Sequence, residues 1–211
     1  MRTKITSLTA AAALVAASAS TSSAAVILLL DQNIPIPTTF AGVVVNLETG
    51  ATGTADAGAT GADMNFVFGG EGITNDADEE GTAPTWQPVR AAAPNSSVIV
   101  NLGIDTVVDS SSEFATGYGG STTHLVPSVD YDTFTSGVKG YIGFSVVLAD
   151  ATVAYGWAEV TLQDDNNTPG VIHGWAYEDD GTSLRVGAIP EPASTLLIAL
   201  GFMASALRRR R

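Results

Sequence analysis

"VAYGWAEVTLQDDNNTPGVIHGWAY", residues 153–177, decides the fold. Two apolar runs, 153–162 and 171–177, share a Gly-Trp-Ala core and flank "QDDNNTPG", a block of turn-forming residues. Runs rich in Val, Ile and aromatics on either side of such a block read as a β-hairpin. Side chains alternate along a strand, so Tyr155 and Trp157 share a face of the first strand. His173, Trp175 and Tyr177 share a face of the second. With Trp157 opposite Trp175, the five rings form one continuous stripe; a one-residue slip separates them. An exposed stripe is a sugar-stacking platform made of Tyr155, Trp157, His173, Trp175 and Tyr177. A buried stripe is a core face, each aromatic burying ~150–250 Å² against an opposing sheet. Gly156, Ala158, Gly174 and Ala176 leave the other face poorly filled, which favours burial of both tryptophans.

The same composition extends outward. Val26–Leu30, Val43–Leu47, Asn65–Phe68, Ser97–Leu102 and Tyr141–Leu148 are further short runs of Val, Ile and aromatics between Gly, Asn, Asp, Pro and Thr clusters. Thr49 to Gly61, "TGATGTADAGATG", has no large apolar residue and reads as a flexible surface loop. No stretch of the body has a helical period bounded by caps. The fold class expected for residues 26–188 is therefore all-β, an antiparallel β-sandwich or jelly roll.

Charge narrows the function. Residues 25–188 carry 21 acids and three bases (Arg90, Lys139 and Arg185), a net charge of −18. Such a surface repels phosphate backbones, so no nucleic-acid partner is expected. The two histidines, His124 and His173, lie in no nucleophile-elbow or metalloprotease motif, and no phosphate-cradling loop or zinc-like spacing occurs. The expectation is a protein without catalytic activity or cofactor. Calcium is the one candidate ion: "NDADEEG" (75–81) offers Asp76, Asp78 and Glu80, and "DDNNTPG" (164–170) and "EDDG" (178–181) offer similar oxygens. None of the three has EF-hand spacing.

The two ends concern handling rather than activity. Arg2 and Lys4 precede an Ala-rich apolar run, Leu8 to Ala17, and Ser23-Ala24-Ala25 is a small-x-small cleavage site, as is Ala17-Ser18-Ala19. Residues 1–25 read as a signal peptide cleaved by signal peptidase. Cysteine is absent, so the exported fold holds without disulfides. At the other end, Ala193 to Leu207 has no charge and spans about 22 Å as a helix, short of the ~30 Å hydrocarbon core. Arg208, Arg209, Arg210 and Arg211 follow it and stay cytoplasmic by the positive-inside rule, which places everything before Pro190 outside. Both ends give the same topology.

Pro190-Glu191-Pro192, a small-residue apolar helix and an arginine cluster, in that order, resemble the PEP-CTERM sorting tail of Gram-negative bacteria. Ile189 stands where Val is commoner. The resemblance covers residues 189–211 and implies recognition by exosortase, a membrane-embedded cysteine protease that removes the tail in association with extracellular polysaccharide production. It implies a transient stay in the inner membrane, then the cell surface or the exopolysaccharide or biofilm matrix. More loosely, "YIGF…YGWAEV…GWAYE…G" before the box is similar to the body of many such proteins, which carries no activity over. The expected role is structural or adhesive, with extracellular polysaccharide as partner. A carbohydrate-binding module and a secreted glycan-active enzyme on a jelly roll are the alternatives, the enzyme requiring a deep cleft with convergent carboxylates.

Overall fold

The computed structural model describes residues 25–54, 63–74, 85–91, 98–115, 119–120, 134–165 and 167–189. Three nine-residue strands form its spine: β10 (Lys139–Val147), β11 (Val153–Thr161) and β12 (Gly170–Glu178). They run as a meander because both connections carry turn chemistry. In the first, Asp150 Oδ1 accepts the Thr152 N–H at 2.9 Å and Ala151 takes a left-handed φ of 69°. In the second, Asp165 Oδ1 accepts the N–H groups of Asn167 and Thr168 at 2.7 and 2.6 Å.

Short strands complete this sheet. β7 (Trp86–Pro88) pairs with β10 on one side. On the other, β1 (Val26–Leu29) and β2 (Ile34–Ile36) pair with the two halves of β12, giving the order β1-β12-β11-β10-β7 with β2 beside β12. The second sheet has the order β4-β3-β5-β6-β9: Thr52–Gly53, Val43–Val45, Met64–Val67, Gly72–Thr74 and Gly119–Gly120. All named strand pairs are antiparallel, and the described residues contain no α-helix, only a 3₁₀ turn at Phe68–Gly70. The expected all-β antiparallel class is the observed one. Thr52–Gly53 corrects the expected loop at 49–61 in part, because it pairs with Val44–Val45. Val98 and Ile99, within a run expected as a strand, form only isolated bridges to Gly120 and Arg90.

The spine is buried on both faces. Ile142, Phe144, Val146, Ala154, Ala158, Val160, Ile172, Trp175 and Tyr177 point to the second sheet and share a core with Val43, Val45, Met64, Phe66 and Ile73. On the opposite face Trp157 and Ala176 pack under Val89, Val108, Leu184 and Val186, where β8 (Val107–Val108) pairs with β13 (Leu184–Arg185). Val, Leu and aromatic positions thus alternate between two apolar layers rather than between core and water.

Gly156 lies on the inner face, where a Cβ would collide with the Ala176 carbonyl oxygen and the Phe144 ring. Gly156→Ala is expected to cost about 1–3 kcal/mol through overpacking. A denaturant melt reads it; an unchanged midpoint would show that the β12 backbone at Ala176 gives way as freely as the Phe144 ring.

The register corrects one sequence expectation. Trp157 pairs with Ala176 and Ala158 with Trp175, the one-residue slip that puts the two indoles on opposite faces. A bulge produces it: Val160 opposes Ile172 but Glu159 opposes Gly174, so His173 has no partner on β11 and every pair beyond it is displaced by one. Across the other edge, β1 ends at Leu29↔Trp175 and β2 begins at Ile34↔Ile172, so the ladder is interrupted there too. The backbone at His173 instead accepts the Gln32 N–H at 2.9 Å. His173 is turned away from Trp175 and Tyr177.

Candidate functional site

The bulge opens a cleft. Residues 30–33 cross it, with Asp31 at φ 57° and Asn33 at φ 49°, left-handed conformations that Asp and Asn tolerate best among non-glycines. The cleft holds about 190 Å³ and is lined by Leu30, Asp31, Asn33, Lys139, Tyr141, Trp157, Glu159, His173, Gly187 and Ile189. Register explains the polar part, since Tyr141 lies opposite Glu159 and Lys139 opposite Thr161 across the β10–β11 ladder. Glu159 accepts hydrogen bonds from Lys139 Nζ at 3.1 Å and from the Tyr141 hydroxyl at 3.2 Å. The Tyr141 ring meets Trp157 edge to face, with centroids 5.7 Å apart. Burial, then the Glu159 charge, pushes the Tyr141 phenol above its usual range.

His173 is held at both nitrogens. Nε2 lies 2.9 Å from Thr161 Oγ1 and Nδ1 lies 3.4 Å from Asn33 Oδ1. A hydroxyl, an imidazole and an amide in line have the order of a nucleophile–base relay. Thr161, however, is not among the residues lining the cleft, so its hydroxyl serves to orient the ring.

Burial lowers the His173 pKa and Lys139 lowers it further, against an upward pull from Glu159. The folded chain therefore binds a proton at His173 less readily than the unfolded chain does. Stability from this group is complete above the ordinary value of 6.5 and is lost as pH falls below it. His173→Gln is expected to remove that component. Melts of both proteins between pH 7.5 and 5 should converge as the pH falls; parallel curves would contradict the assignment.

The five aromatic-stripe residues are divided by the sheet. Trp175 and Tyr177 are in the core between the sheets, and the Trp175 indole N–H donates to the Leu47 carbonyl at 2.9 Å. Tyr155, Trp157 and His173 lie on the other face, with Tyr155 stacked on Phe114 at 6.0 Å. Trp157 is 3% exposed and Trp175 fully buried, so no platform of five rings faces solvent. The calcium candidates Asp76, Asp78 and Glu80 lie outside the described residues. Among the described residues no three acidic or histidine side chains converge as metal ligands. Asp165 and Asp180, in the other two acidic loops, accept hydrogen bonds from their own turns.

Lys139, Tyr141, Glu159 and Asn33 were not singled out from the sequence. The signal that finds the first three is the hairpin register between β10 and β11. Asn33 requires knowing that residues 30–33 pass over His173.

The sorting residues Pro190, Glu191, Pro192, Arg208, Arg209, Arg210 and Arg211 also lie outside the described residues, as do residues 1–24. Among the described residues no helix is long and apolar enough to cross a membrane. What the structure places is the exit of the tail. The Ala188 N–H donates to the Arg185 carbonyl at 3.0 Å, and Ile189, 60% exposed, stands at the cleft rim. No curated protein and no solved structure matched the chain. Residues 188–211 match the family model described as the PEP-CTERM protein-sorting motif, so the chain carries that motif, which implies export and processing by exosortase.

Proposed function

We propose that the protein is an exported, non-catalytic β-sandwich protein whose tail is removed during sorting to the cell surface or the exopolysaccharide matrix, where it has a structural or adhesive role. The sorting motif at 188–211 carries this reading. Support comes from the N-terminal export signal in the sequence and from a body charge of −18, which suits an extracellular milieu and repels anionic polymers. Lack of catalysis is supported by the state of the cleft carboxylates. Glu159 is occupied by an ammonium and a phenol, and Asp31 is an exposed rim residue. Signal peptidase and exosortase act on the two ends, with the inner membrane a transient station between them.

Fractionation of cells with and without exosortase tests the reading. The protein should move from the outside fraction to the membrane when the protease is deleted. An unchanged distribution would overturn the sorting role.

A further inference from the structure

The cleft beside the tail exit contains polar groups that the fold does not use up. Trp157 lines it, and the Trp157 indole N–H is buried without a hydrogen-bond partner. That nitrogen is screened from solvent, so Trp157 offers the cleft no donor and stands there as a packed ring. Around it stand the Glu159 carboxylate, the Lys139 ammonium, the Tyr141 hydroxyl and the His173 imidazole, with Leu30 and Ile189 as apolar wall. Each ionised carboxylate has about four lone-pair sites, and Glu159 has accepted two donors, so it retains acceptor capacity. The Lys139 side chain is 57% exposed and offers further N–H donors.

Size and charge limit the occupant. A volume of about 190 Å³ is below the ~300 Å³ of a drug-sized pocket, which limits the occupant to something about as small as one sugar ring. Lys139 offsets Glu159, and Asp31 leaves the lining negative on a body that is itself strongly acidic. Uronate, sulfate and phosphate groups are repelled. A neutral hexose, with hydroxyls on its edge and C–H groups on its faces, matches a lining that alternates donors and acceptors with apolar walls.

We propose that this cleft is a saccharide subsite taking one neutral hexose residue of a polysaccharide chain, its hydroxyls bonding Glu159, Lys139 and Tyr141 beside the Trp157 ring. The proposal rests on the reading of polysaccharide as partner and on no step of the sorting.

The test uses the full chain in detergent micelles, titrated with neutral tetrasaccharides of glucose, mannose and galactose, and with tetragalacturonate as the charged control. Three tryptophans give three indole N–H signals in a ¹H–¹⁵N spectrum, and Trp157→Phe identifies the one in the cleft. A neutral tetrasaccharide should shift the Trp157 signal and leave those of Trp86 and Trp175 in place. Glu159→Gln should weaken binding about tenfold, the loss expected for one charge-assisted hydrogen bond, and Tyr141→Phe, which retains the ring against Trp157, about fivefold, that of a neutral one. Binding that is equal in wild type and both variants would overturn the cleft while leaving polysaccharide association intact. Preference for tetragalacturonate, or no shift with any neutral tetrasaccharide at 50 mM, would overturn it outright. Sorting of the tail stands or falls separately, by cell fractionation.

Discussion

Trp175→Ala is expected to unfold the domain, or to leave it folded only at low temperature. Trp175 is fully buried between the two sheets, and truncating a buried Trp costs about 3–5 kcal/mol. A second loss adds to this one. The indole N–H donates to the Leu47 carbonyl at 2.9 Å, while the Leu47 N–H donates to Asp63 Oδ2 at 2.8 Å and Asp63 Oδ1 accepts from the Thr85 hydroxyl at 2.8 Å. Leu47 is thus clasped from both sides, and removing the indole leaves a buried carbonyl unpaired at about 1–3 kcal/mol. Domains of this kind are stable by only about 5–15 kcal/mol, and this chain has no cysteine to form a disulfide. Trp175→Phe separates the two contributions, since it keeps most of the ring and loses the hydrogen bond. It should cost about 1–3 kcal/mol and stay folded. Urea denaturation of the three proteins measures both numbers. A Trp175→Ala midpoint within error of wild type would contradict the two-sheet core.

The second large effect is in the tail. Glu191→Ala, or deletion of Arg208 to Arg211, should leave nearly all of the protein uncleaved or misplaced. The arginines matter because an uncharged run of about 22 Å is too short to hold itself across a ~30 Å hydrocarbon core. Four arginines beside an anionic leaflet contribute about 1 kcal/mol each, so their deletion removes about 4 kcal/mol of anchoring, near a thousandfold in position. Glu191 is the charged centre of the box, and a residue before proline, as Glu191 is, disfavours helix, which suits a site that a protease must reach. Immunoblots of outside and membrane fractions read the outcome. Normal release of both variants would show that the box and the arginines do not act as one signal.

The hairpin was legible because both of its determinants are local: two Gly-Trp-Ala strands and a turn block between them. Its register was not. The bulge at His173 exists because residues 30–33 cross the sheet there and Gln32 bonds to His173, a contact between parts of the chain more than 100 residues apart. Alternation within one strand carries no trace of such a crossing, so it left open whether Trp157 opposes Trp175 or the slip separates them. Pairs as short as Val107–Val108 with Leu184–Arg185 were invisible for a related reason. Two residues make no pattern, and this pair is fixed by packing over Trp157. The cleft combines residues from five separate segments, so alternation along any one of them does not reveal it. The sorting motif was legible, because its three parts follow one another in sequence.

The central claim is that the tail is a sorting device, present in the precursor and absent from the mature protein. Peptide mass spectrometry of the protein recovered from outside the cell tests it most directly. The expected result is coverage of the body from the Val26 region onward and no peptide from Leu196 to Leu207. Outside protein that still carries Leu196 to Leu207 would contradict the account and make the tail a plain anchor.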